Sequence, residues 1–362
     1  MSKSNDFVSL LRNTTNSYKF LFLKSLISRA RNGESLIKIS ELTTDMLVMA
    51  WYPNQFFKLS FGSQDKIAEI FNKQSFKYKS DIPVTSPEFE INLRKQLTER
   101  LDPTSLSKLA VYVQYRLLHP FFDDDLRGKP DHQKNRMIFE MAASRYDSRK
   151  PLYNIGTDKK SVLIHPEWST YIKRNSALLL QYIEFFWIEY LQKNNPNIPG
   201  IINKSSPPKT RNGLKSQKRY WEKFTQLHDE PRCIYSDTRL NKDNISLDHF
   251  LPWTYVCHDR IWNIVPTIGP VNSSKGNKLP SIERYLNQFI EVQYQAIKLN
   301  SISNSEWPKL EAELVIDLGF SAKNEMFDDC LFEKQLKSTI EGQYKLAAQL
   351  GFAQNWVYHT PE

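Results

Sequence analysis

The chain reads as an α+β protein that is mostly α, and three observations predict this. Apolar residues recur at helical spacing through most of the first 195 residues and again beyond Ser281. Alternating, strand-like runs are rare and short. The one dense cluster of strand and turn signals lies between Cys233 and Lys278. The expected order is a helical N-terminal domain (1–195), a basic linker (196–214), a small module of two strands and a helix (215–285), and a helical C-terminal segment (286–362).

With 362 residues the chain can bury a sizeable core in two or three domains. Hydrophobic residues at 40% and charged residues at 25% are ordinary for a soluble globular protein, and aromatics at 13% argue for well-filled cores rather than disorder. The most apolar stretch, Ala177 to Leu191, carries Glu184 and Glu189 and is too short for a membrane span. Three cysteines (Cys233, Cys257, Cys330) make no disulfide framework and no C-x-x-C pair, which suits a cytoplasmic protein without a thiolate zinc site. The start of the chain shows no signal-peptide pattern.

Net charge is +9, and it is uneven: +8 over residues 1–200, +6 over 201–282 and −5 over 283–362. A polyanionic partner, nucleic acid above all, is the natural reading for the basic part. The acidic tail is expected to pack on the rest of the protein or on a protein partner.

Helices are predicted in turn over 17–33, ending at Gly33; 40–52, starting at Ser40; and 85–97, where Ser86 caps, Pro87 follows and Glu88 and Glu90 fill the first turn. Further helices are expected over 106–118, 133–146 and 165–192, the last nearly all-round apolar at one end and so central to its domain. SVLI (161–164) is a short strand candidate. Residues 194–214 lose all periodicity in a run of Pro, Gly, Asn and Ser, the best domain boundary. A basic helix over 215–227 follows. Lys204 to Lys223 holds seven Lys/Arg against one Glu, with Tyr220 and Trp221 among them, so this stretch is expected to track a phosphate backbone and offer a stacking face. Lys215, Lys218, Arg219, Lys275 and Lys278 are the candidate nucleic-acid contacts. Helices over 281–300 and 333–352 complete the chain.

Within the module, CIY (233–235) and ISLDHFL (245–251) are expected to pair as strands, 253–270 to form a long aromatic-packed loop, and 271–278 a short helix. Asp248 and His249 end the second strand. Asp248 offers a hard oxygen to a cation such as Mg2+. His249, if neutral, can take a proton from water. Asn272 adds an amide oxygen from the helix, and Lys275, one turn on, can neutralise phosphate charge. As strand neighbours, Asp248 and His249 point to opposite sides unless the strand end twists. So few protein ligands suit Mg2+, or Mn2+, which keeps waters and takes phosphate oxygens. This equipment fits phosphodiester hydrolysis. His258-Asp259 is expected to shape the loop, and Asp123-Asp124-Asp125 to be a solvated turn.

This stretch resembles the HNH, or ββα-metal, endonucleases. Asp248-His249 matches the family's Asp-His doublet, Asn263 its central Asn, Asn272 its closing residue, and Lys275 through Pro280 its trailing pattern. The likeness is greatest to the HNH domain of RNA-guided CRISPR effector nucleases and covers roughly residues 230–285. It implies Asp248 and Asn272 as metal ligands, His249 as general base and Asn263 as a loop-fixing residue. It implies products with 5′-phosphate and 3′-hydroxyl ends. Asn at the third position favours Mg2+ or Mn2+ over softer metals. The organisation as a whole resembles bacterial HNH proteins of restriction and phage defence. The expected activity is therefore hydrolysis of DNA, with a homodimer or a partner in a defence complex. RNA cleavage by a partner-activated toxin, and a non-catalytic nucleic-acid-binding subunit, remain the alternatives.

Overall fold

The computed structural model describes residues 3–11, 14–73, 82–101, 106, 109–208 and 213–360. The chain divides into two compact units, one of residues 1–196 with 201–210 and one of 197–200 with 211–362. Both are mostly helical with few short strands, as the periodicity predicts.

In the first unit, α1 (Tyr18–Arg31) packs on α2 (Ile39–Trp51) and on the long α5 (Pro166–Asn194). α3 (Pro87–Arg100) starts as expected, the Ser86 side chain accepting from the Phe89 amide ahead of Pro87. α4 spans Asp131–Ser144. Residues 106–118 do not form one helix. Ser107 and Lys108 lie outside the described residues; Leu106, Leu109 and Ala110 are helical, a turn at Val111 and Tyr112 breaks the run, and a helical turn over Val113–Arg116 and a 3-10 turn over His119–Phe122 follow. Pro120 stands at the start of that 3-10 turn, where its missing N–H costs nothing. β1 (Leu36–Lys38), β2 (Tyr153–Ile155) and β3 (Ser161–Ile164) form an antiparallel sheet with β3 in the middle. Asp123-Asp124-Asp125 begins a four-residue helix, where Asp125 pairs with Arg145.

The second unit holds α6 (Lys215–Leu227), β4 (Ile245–His249), β5 (Ile264–Ile268), α7 (Gly269–Lys275), α8 (Ile282–Ser303), α9 (Trp307–Leu318) and α10 (Asp329–Gln349). β4 pairs antiparallel with β5, Leu247 opposite Pro266 and His249 opposite Ile264. The strand partners therefore flank the motif loop, and residues 233–235 are not a strand. They form a tight turn in which the Asp237 amide donates to the Cys233 carbonyl and the Cys233 amide to that of Thr238. Pro266 hides β5 in the sequence, but in a two-stranded sheet every strand has an open edge where a missing N–H costs little.

Tyr220, Trp221 and Phe224 form the buried face of α6, which packs on α8, so neither Tyr220 nor Trp221 is open for stacking. α8 also holds the hairpin from behind. Phe289 stacks on Phe250 at 4.2 Å, and Gln293 Nε2 donates to the carbonyls of Ile261 and Ile264. The C-terminal segment closes the unit through backbone bonds between Leu279 and Trp356 and between Leu279 and Ala353. Among the described residues no helix is long and apolar enough to cross a membrane.

Candidate active site

The hairpin delivers the Asp-His doublet at the end of β4, and both residues are buried, at 3% and 7% exposure. Their side chains go to different neighbours, as alternation along a strand requires. Asp248 turns to α7 and the Cys233 turn. Its Oδ2 accepts from the Tyr235 hydroxyl at 2.8 Å. Lys275 Nζ lies 3.2 Å from Oδ1 and 3.1 Å from Oδ2, and donates to the His249 carbonyl at 2.6 Å. Lys275 is fully buried. Expected to face phosphate, it is closed to solvent and its charge acts on Asp248 instead. Burial lowers its ammonium pKa, and the Asp248 carboxylate partly opposes that. Burial and the charge of Asp248 push the Tyr235 phenol well up, so it stays a donor.

His249 turns to the motif loop. Its Nε2 sits 2.9 Å from Asp259 Oδ1. An ionised carboxylate only accepts, so the facing nitrogen carries the proton and the neutral ring keeps its lone pair on Nδ1. Sequence reasoning gave Asp259 a loop-shaping part and missed this pairing. No spacing rule links residues ten apart across an irregular loop.

Asn263 is fully buried and clips that loop. Leu251 N donates to its Oδ1 and its Nδ2 donates to the Leu251 carbonyl, both at 2.9 Å. Asn272, half-buried on α7, donates from Nδ2 to the Leu247 carbonyl at 2.9 Å and to Ser246 Oγ at 3.2 Å. That ties the amide to β4 at Ser246 and Leu247 through its nitrogen and leaves Oδ1 as its acceptor atom. Gly276, at φ +50°, ends α7 with a backbone that other residues adopt only under strain.

Among the described residues no cluster of three or more His, Cys, Asp and Glu could hold a metal. One carboxylate and one amide oxygen from facing elements nevertheless suit a hard cation that keeps most of its waters. Asp248 already balances one positive charge, that of Lys275, and a carboxylate with about four acceptor positions has room for another partner.

Of the basic candidates, Lys215 and Lys218 are exposed on α6 and line a groove of about 320 Å³ with Leu214, Ile245, Ser246 and Leu247. Arg219 is exposed and paired with Glu306. Lys278 is exposed and donates to the Ser274 carbonyl. Lys204 is fully buried, and Lys209 and Arg211 lie outside the described residues.

No curated protein and no solved structure matches the chain. The HNH endonuclease family model matches residues 233–281, from the Cys233 turn through the hairpin and α7 to Ser281. HNH nucleases generally bind nucleic acid and a divalent metal ion. The segment that carries Asp248, His249, Asn263 and Asn272 is thus similar to the HNH endonucleases, and this match supports a nuclease of that kind.

Proposed function

We propose that the protein is a metal-dependent endonuclease that hydrolyses phosphodiester bonds of DNA, a cytoplasmic enzyme of phage defence or restriction. The observation that carries the reading is the end of β4. A buried carboxylate and a buried, oriented imidazole stand there on consecutive residues, with the Asn272 amide tied back to the same strand.

In this reading His249 Nδ1 takes a proton from water. The O–H electron pair stays on the oxygen, which attacks phosphorus in line as the bond to the 3′ oxygen breaks; the 3′ oxygen leaves with that bond's electron pair and takes a proton from solvent water. Asp248 and Asn272 would hold Mg2+ or Mn2+. Such an ion supplies charge stabilisation to the phosphate and the leaving oxygen. Lys275 holds Asp248, and Asn263 holds the loop behind His249. Lys215, Lys218, Arg219 and Lys278 guide the strand, supported by the +6 charge of residues 201–282.

The test is nicking of plasmid DNA by purified protein with and without Mg2+, beside labelled RNA. His249→Ala should slow cleavage roughly 100- to 10,000-fold, the usual worth of a general base. Cleavage by that variant at the wild-type rate would overturn the assignment. A wild-type protein that cuts RNA and spares DNA would move the substrate to RNA.

A further inference from the structure

Asp259 is held more firmly than a loop residue needs to be. Gln217 Nε2, from α6, donates to its backbone carbonyl at 2.7 Å. On its other side Arg260 bridges to Glu313 and Asp317 of α9, and Trp262 Nε1 donates to Asp317 at 3.0 Å. The Asn263 clip closes the same loop. The loop that carries the carboxylate is thus held by two helices, α6 and α9, and by the Asn263 clip, and Asp259 presents Oδ1 to His249 Nε2 at 2.9 Å, with its side chain 27% exposed and that of His249 only 9%. A buried imidazole has two ways to hold its proton. A fixed anion at one nitrogen selects one of them.

We infer that Asp259 is the positioning residue of the base: it locks His249 in the Nε2–H form, which leaves the proton-accepting lone pair on Nδ1, and balances the imidazolium formed once Nδ1 accepts the proton. This rests on the nuclease reading for its catalytic consequence, but the tautomer it fixes is a property of the protein without substrate. The logic is that of a carboxylate holding a catalytic histidine, where the wrong tautomer costs about 10⁴ in turnover. No covalent role falls to Asp259, and the proton ends on His249.

The experiment is 15N NMR of the ring nitrogens of labelled full-length protein, with the His249 signal assigned by its loss in His249→Ala, beside plasmid cleavage in Mg2+. Wild type should show neutral His249 protonated at Nε2. Asp259→Ala should mix the tautomers and lower kcat by roughly 10²- to 10⁴-fold, with KM for DNA changed by less than about threefold. Asp259→Asn keeps the volume and guards against a variant that fails to fold; it should lower kcat in the same sense. Asp259→Glu, which keeps the charge, should recover part of it. Neutral His249 protonated at Nδ1 in wild type, or Asp259→Asn turning over at the wild-type rate, overturns the proposal while leaving the nuclease reading intact. The expected tautomers in a protein that cuts neither DNA nor RNA uphold the positioning role and overturn the nuclease reading.

Discussion

Lys275 Nζ lies within 3.2 Å of both carboxylate oxygens of Asp248, in a place where neither side chain meets water to any extent. A buried pair of this kind adds little stability over an apolar pair, but breaking it is costly because the survivor keeps its charge. Lys275→Met leaves Asp248 with the Tyr235 hydroxyl alone, and should destabilise the protein by about 3–5 kcal/mol without metal. Mn2+ or Mg2+ should recover more stability in the variant than in wild type, because the cation then replaces the lost charge. Denaturant unfolding with and without Mn2+ measures both. An unchanged midpoint, with no added metal response, would show that the carboxylate does not depend on this ammonium.

Asn263 predicts a different pattern, because its work is done on backbone. Asn263→Ala orphans the Leu251 N–H and C=O inside the core, at about 1–3 kcal/mol for each group. Asn263→Asp keeps the acceptor and loses the donor, and should fall between Ala and wild type. Both variants should lose activity in proportion to lost stability, since the loop that carries Asp259 slackens. Equal stability of the Ala variant and wild type in thermal unfolding would remove Asn263 from the loop's support.

These two cases show what was legible in the sequence. The doublet, Asn263, Asn272 and the helix after them could be named from residue order, because the hairpin-helix order and its polar residues are local. So could most helices, whose periodicity survives any packing. Lys275 was legible as a residue but not as a buried one. Its place is set by Asp248, which it meets from α7 and which Tyr235, in a turn forty residues earlier in the chain, also holds. β5 was hidden by Pro266, whose tolerance depends on the sheet having only two strands. Tyr220 and Trp221 read as a stacking face because helix periodicity marks an apolar side without saying that α8 covers it. The pairing of Asp259 with His249 required the loop's own path.

In the first unit, His165 caps α5, its Nδ1 accepting from the Glu167 amide at 3.2 Å. Burial holds its pKa below the usual histidine value, partly opposed by Glu167. The unfolded chain therefore binds more protons than the folded one between that lowered pKa and the ordinary value of about 6.5. Stability should rise with pH through this window and fall as acid charges the ring, which also ends its capping bond. His165→Asn keeps a capping side chain that does not titrate. Comparing unfolding of the two proteins from about pH 7 to pH 5 should show the wild type losing more. Parallel curves would refute the role.

Lys215 and Lys218 lie free of the buried machinery, on the rim of the groove beside Ser246 and Leu247. Lys218 is exposed and pairs with the half-buried Glu222 at 3.7 Å, a pairing that phosphate can displace at little cost. If a strand runs along this groove, each lysine that meets a phosphate releases counterions. The slope of log K against log salt should then fall by about 0.9 per lysine removed, for duplex DNA. Lys215→Gln with Lys218→Gln should flatten it by about 1–2, weaken binding to unrelated sequences alike, and leave folding unchanged. Binding of a labelled duplex across a salt series reads this directly. A double variant with the wild-type slope would mean that the strand approaches the end of β4 from another side, and Arg219 and Lys278 would then be the lysine pair's replacements to test by the same slope.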